Sequence, residues 1–95
     1  MISRNGDVML LDGAVTVDTV PALVGAIGEH LRAGAKTIDF SSVAEVDSAA
    51  VALALEWQRQ AAEQKVALSL TNIPDAMKNL ANLYGVSALM EPPKG

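Results

Sequence analysis

The chain contains no cysteine. That excludes disulfides, thiolate zinc sites and thiol nucleophiles, and leaves nothing that argues for an oxidising compartment. Aromatic residues are almost as scarce: Phe40, Trp57 and Tyr84 are the only three among 95 residues. Ala, Val and Leu must therefore fill the core, which suits close packing of helices on a sheet. No apolar run approaches the ~20 residues of a membrane span. The first such run, Val8-Met9-Leu10-Leu11, is cut off by Asp12-Gly13, and Arg4 before it is a lone charge, so a secretory signal is not expected. Basic clusters are missing as well. Arg4, Arg32, Lys36, Arg59, Lys65, Lys78 and Lys94 are scattered and the net charge is −4. Nucleic acid and anionic lipid, which are held by clustered Lys and Arg, are not expected partners. Direct membrane insertion is not expected either, so service to a membrane process would run through a protein partner.

The constellations that carry catalysis are also lacking. There is no glycine-rich phosphate or dinucleotide loop. The single histidine, His30, sits beside Glu29 with no second ligand at metal-binding spacing and reads as a surface residue. Asp39 and Asp47 are separated by an expected loop and able to approach one another, but two acids without a pocket are weak evidence for acid–base work. Ser48 has only His30 as a base, on another helix. The chain is therefore expected to be no enzyme and to carry no cofactor or metal.

What is present reads as one small α/β domain, residues 1–91, with 92–95 as a frayed tail. Ile2-Ser3-Arg4 and Asp7 to Leu11 flank Asn5-Gly6, a hairpin signal. Ala14-Val15-Thr16-Val17 follows Asp12-Gly13 as a further extended piece that either continues the second strand or stands alone. Asp18 then caps a helix with Pro21 in its first turn. Val20, Leu23, Val24, Ile27 and Leu31 face the sheet at helical spacing, and Gly34 stops the helix. Gly25 and Gly28 mark one face for close packing within the domain or against a partner. Lys36 to Phe40 and Val66 to Leu70 are the next strands. A final helix runs from Pro74 to the residue before Gly85. The order β, β, α, β, α, β, α implies a mixed, mostly parallel sheet of four to five strands with three helices packed on it.

The segment Ile38-Asp39-Phe40-Ser41-Ser42-Val43-Ala44-Glu45-Val46-Asp47-Ser48 passes from a buried strand through a short polar loop to the start of the long helix. Asp47 or Ser48 can cap that helix, so Ser48 is either a plain cap or a regulated contact point. At about 100° per residue, Ala50, Leu53, Ala54, Trp57 and Ala61 form the core stripe, widened by Val51, Leu55 and Ala62. Ser48, Ala52, Glu56, Arg59, Gln60 and Glu63 lie opposite. Ala49 and Ala52 beside Ser48 make a flat patch that another backbone can approach.

This strand, Val-Asp-Ser and small-residue helix resemble the STAS domain of anti-sigma factor antagonists and sulfate transporter tails. In that family the residue matching Ser48 is phosphorylated or touches the partner. The antagonists resemble Asp-Ser-Ser-Gly-Leu-Gly, where this chain has Asp47-Ser48-Ala49-Ala50-Val51-Ala52 with both glycines replaced. The departure shifts the resemblance to the MlaB branch, single-domain subunits of the Mla phospholipid ABC transporter. The segment Ile73-Pro74-Asp75 to Leu83-Tyr84-Gly85-Val86 is similar to the closing helix of that branch. The resemblance implies a non-catalytic cytoplasmic subunit, peripheral at the inner membrane, that binds the transporter ATPase and through it the permease. It implies an interface of Asp47 as loop anchor and cap, Ser48 as central polar contact, Ala49 and Ala52 as close-approach surface, and Glu56 and Arg59 as rim charges. The antagonist branch implies instead a switch in which Ser48 is phosphorylated. Homodimerisation of the isolated domain stays open.

Overall fold

The computed structural model describes residues 1–86. The expected tail, 92–95, lies outside them. Strands β1 (Ile2–Asn5) and β2 (Val8–Val15) pair antiparallel with Asn5 opposite Val8, so the two-residue loop is Gly6-Asp7, one residue later than the Asn5-Gly6 signal. Gly6 has φ 65°, which the first central position of such a turn demands. Strand β2 runs unbroken through Asp12-Gly13, so the expected extended piece is its continuation rather than a fifth strand.

Strand β3 (Thr37–Val46) pairs parallel with β2, and β4 (Ser69–Thr71) pairs parallel with β3, giving the order β1-β2-β3-β4. Both parallel connections cross the sheet in the same direction, so the right-handed rule puts their helices on one face. Met9, Leu11 and Val15 of β2, Ile38 and Phe40 of β3 and Leu70 of β4 point into the core against them.

The polar stretch Ser41 to Glu45, expected as a loop, is strand. Leu10 pairs with Asp39 and Asp12 with Ser42, then Gly13 with Val43 and Ala14 with Glu45, so β3 gains one residue over β2 at each of two irregularities. Each extra residue is a bulge, and bulges break the alternation by which a strand is recognised. The inward pattern of Ile38 and Phe40 therefore gives way to mostly exposed side chains while the pairing continues to Val46.

The first helical segment also differs from expectation. It divides into α1 (Val20–Leu23) and α2 (Ile27–Arg32), and its N-cap is Thr19, not Asp18. The Thr19 hydroxyl looks upstream: it accepts from the Thr16 amide at 2.9 Å and donates to the Ala14 carbonyl at 2.9 Å, bracing the exit from β2. At the break, Ala26 N–H reaches back to the Leu23 carbonyl in a three-residue turn. A carbon added at Gly25 would meet nothing, and at Gly28 only the Arg32 side chain of its own helix, so no neighbour within the domain exploits the two glycines.

Helix α3 (Ser48–Glu63) is the long helix. It buries Ala50, Val51, Leu53, Ala54, Trp57 and Ala61; Leu55 is half-buried and Ala62 exposed, so the stripe is narrower than the wheel suggests. Helix α4 (Asp75–Leu83) packs on α3 through Met77 and Ala81, with Pro74 as its N-cap. Trp57 is fully buried. Its indole N–H lies 3.3 Å from the Leu23 carbonyl, which the Ala26 amide already meets, and 3.3 Å from the Val24 carbonyl, which receives no backbone amide among the described residues. Trp57→Ala should therefore lower stability by about 3–5 kcal/mol. Trp57→Phe, which keeps most of the volume but removes the donor, should lose roughly 1–3 kcal/mol. Urea titrations followed by circular dichroism check both; equal midpoints for Trp57→Phe and parent would show that the carbonyls need no donor.

Candidate functional site at the start of the long helix

The parallel strands β2 and β3 end side by side, with Val15 opposite Val46. Two residues beyond each lie Val17 and Ser48. Asp47 joins the two crossings. Its backbone is extended, its Oδ1 accepts from the Ala49 amide at 2.8 Å as the N-cap of α3, and its Oδ2 accepts from the Val17 amide at 3.0 Å. One carboxylate thus satisfies an orphan helix donor and pins the loop after β2.

Ser48 is the first residue of α3 and not its cap. It is exposed, and among the described residues its hydroxyl has no hydrogen-bond partner. Of the two capping candidates the carboxylate takes the structural role and leaves the hydroxyl to solvent. Ala49 is half-buried and Ala52 exposed, so the surface around Ser48 is small and flat. Val17, 66% exposed, stands at the edge of that surface. The sequence places it at the end of the extended piece Ala14 to Val17, whereas strand β2 ends at Val15 and leaves it in the loop beyond.

Further along the same face, Glu56 and Arg59 form a two-pronged ion pair. Arg59 Nε donates to Glu56 Oε1 at 2.8 Å, and its NH2 nitrogen to Oε2 at 2.6 Å. Arg59 also bonds Glu63, one turn on. Gln60, assigned by the wheel to the exposed face, is half-buried: its amide nitrogen donates to Glu56 Oε2 at 2.9 Å and to the Val24 carbonyl at 3.0 Å. Hydrogen bonds from Arg59, then from Gln60, hold the Glu56 carboxyl down at about 2, against a small desolvation cost. Glu56 first, and then Glu63, raise the Arg59 guanidinium above its already high value.

Asp39 and Asp47 do not meet. Seven residues of strand, Phe40 to Val46, separate them, roughly 25 Å at ~3.3 Å per residue. Asp39 Oδ1 accepts from the Asn72 side chain at 3.0 Å and the Ser41 amide at 2.8 Å, and these bonds, Asn72 first, keep its carboxyl below the ordinary range. It braces β3 against the residue following β4. Among the described residues no three His, Asp or Glu side chains gather where they could hold a metal, and no helix is long and apolar enough to cross a membrane.

A family model described as "Mlab, STAS domain" matches residues 1–91. The chain belongs to this MlaB-type STAS family. Among solved structures, this STAS domain is similar to the anti-sigma factor antagonist SpoIIAA in its unphosphorylated form, with a TM-score of 0.70 over 99% of this chain and 87% of that chain, at 18% identity. That likeness shows the fold: a four-stranded mixed sheet with three helical segments, the first of them broken. No curated protein sequence matches the chain.

Asp47→Ala should cost about 1–2 kcal/mol through the lost cap and loosen Val17, whereas Ser48→Ala should stay within about 0.5 kcal/mol of the parent. Thermal melts of the two variants check this; equal losses would mean that Ser48 shares the cap. Glu56 has its own pH window. Because folding lowers its pKa, its contribution is complete at neutral pH and fades as pH falls from the ordinary value of 4.5 toward 2. Glu56→Gln should flatten the acid limb of stability against pH in that window, by a small amount because the pair faces water.

Proposed function

We propose that this STAS domain is a non-catalytic cytoplasmic accessory subunit that binds the ATPase of an Mla-type phospholipid ABC transporter and, through it, the permease at the inner membrane. The observation that carries the reading is the match of the MlaB-type family model to residues 1–91. The surface at the start of α3 supports it. Ser48, Ala49 and Ala52 offer a flat approach, Asp47 anchors the loop beneath, and Glu56 and Arg59 stand as rim charges one to two turns on. Rim charges tune association more than affinity. Nucleotide would belong to the ATPase and lipid to the membrane components, so the domain itself needs neither site.

One observation favours a second reading. The fold is that of SpoIIAA, and a serine hydroxyl stands exposed, unbonded among the described residues, at the first position of α3. A phosphate there would face the helix N-terminus but crowd the Asp47 carboxylate, so the first turn would be reset by modification. In this reading the domain is an anti-sigma factor antagonist switched at Ser48.

Purified alone, the domain is expected neither to bind nor to hydrolyse ATP, and to bind the separately purified ATPase of the Mla-type transporter from the same genome. Ser48→Arg should remain folded, since the side chain leaves α3 outward, and should lose that binding by clash and unpaired charge. Circular dichroism melts and a binding titration measure the two effects separately. Capture of a serine kinase of the anti-sigma type with no ATPase would replace the transporter reading with the switch, and tight ATPase binding by a folded Ser48→Arg would move the interface off this face.

A further inference from the structure

We infer that Gln60 is a positioning residue, fixing the Glu56–Arg59 pair on the outer face of α3 to the backbone carbonyl left free where the first helix breaks. A side-chain amide offers two N–H groups from one nitrogen. Here one points out, to Glu56 Oε2 at 2.9 Å, and the other in, to the Val24 carbonyl at 3.0 Å. The inner acceptor is immobile: Val24 packs against the core, and its carbonyl is also within 3.3 Å of the buried Trp57 indole nitrogen. The outer acceptor belongs to a carboxylate that would otherwise be held only by a solvent-facing arginine, itself 59% exposed.

An exposed ion pair ordinarily samples many geometries, and ordering it on contact with a partner opposes binding. With Gln60 in place three donors converge on Glu56, two from Arg59 and one tied to the protein interior. The guanidinium is then fixed from two sides, by Glu56 and by Glu63. A partner meets a charge array already in its bound arrangement. Gln64 adds a single long contact one turn on, its amide nitrogen 3.5 Å from the Gly28 carbonyl. The side chains at 57, 60 and 64 thus register α3 on the broken helix.

The consequence for binding rests on the reading that this face meets the ATPase; the positioning itself does not, and one experiment separates the two. Gln60→Leu keeps bulk and removes both donors, and Gln60→Lys restores a donor. Carbon-13 detected carboxylate titration of the intact domain should show the Glu56 midpoint rising toward the ordinary range in Gln60→Leu and returning in Gln60→Lys. Exchange of the Arg59 Nε proton should accelerate and recover in the same pattern. Affinity for the Mla-type ATPase should fall about fivefold in Gln60→Leu, the scale of ordering one long side chain on binding. A Glu56 titration and Arg59 exchange unchanged in Gln60→Leu would overturn the positioning role whatever the partner does. Absence of ATPase binding by the parent domain would overturn the transporter reading and leave the titration to decide the role of Gln60.

Discussion

The domain turns on two carbonyl oxygens. Where the first helix breaks after Leu23, the Leu23 carbonyl keeps the Ala26 amide of a tight turn, while the Val24 carbonyl receives no backbone amide among the described residues; a buried carbonyl without a donor costs on the order of 1–3 kcal/mol. Both are met from α3: the Trp57 indole reaches the pair and the Gln60 amide adds a second bond to Val24. These donors set the rotation of α3 about its axis more narrowly than hydrophobic burial can, because a stripe of Ala and Leu tolerates some rolling and a hydrogen bond does not. With that rotation set, Ser48, Ala52, Glu56 and Arg59 must face outward. The surface proposed for partner contact is therefore a consequence of how a different helix breaks.

At the start of α3 two adjacent polar residues divide the work. Asp47 takes the structural load on both carboxylate oxygens, one bond to the helix and one to the loop after β2. Ser48 is itself exposed, and among the described residues its hydroxyl has no partner. A residue relieved of capping can be altered by substitution or contact without unravelling the helix beneath it. Val17 shares this arrangement, since its amide is held while its side chain is exposed. The loop and the helix start are therefore one rigid unit.

Much of this was legible in the sequence for a simple reason: the readable elements are those whose pattern is local. Gly6 at positive φ marks the hairpin, Ala50, Leu53, Ala54, Trp57 and Ala61 repeat at helical spacing, and Asp47 precedes a helix whose amides need an acceptor. The rest depends on neighbours distant in sequence. Ser41 to Glu45 looks like a loop because two bulges destroy its alternation, and only pairing with β2 makes it strand. Val20 to Arg32 looks like one helix, because the donors that stabilise its break come from Trp57 and Gln60, more than thirty residues on. On a wheel Gln60 is merely opposite the core. Its second bond appears only once α1 and α2 lie alongside.

The alanines at 50 and 52, where the antagonist pattern has glycine, can now be given a physical weight. Ala50 is 1% exposed and packs its methyl into the core, while Ala52 faces solvent within the proposed contact. Each favours helix over glycine by roughly 1 kcal/mol, and at position 50 the buried methyl adds to the packing. Glycines would leave the first two turns of α3 easier to distort, as a switch that must respond to a phosphate requires. Alanines make the same turns costlier to unwind. A surface that is ordered before its partner arrives loses less entropy on binding, and the Glu56, Arg59 and Gln60 network extends that order down the helix. Stiffness at the cap, in the first turns and in the rim charges suits the proposed role of a subunit that stays bound to its partner.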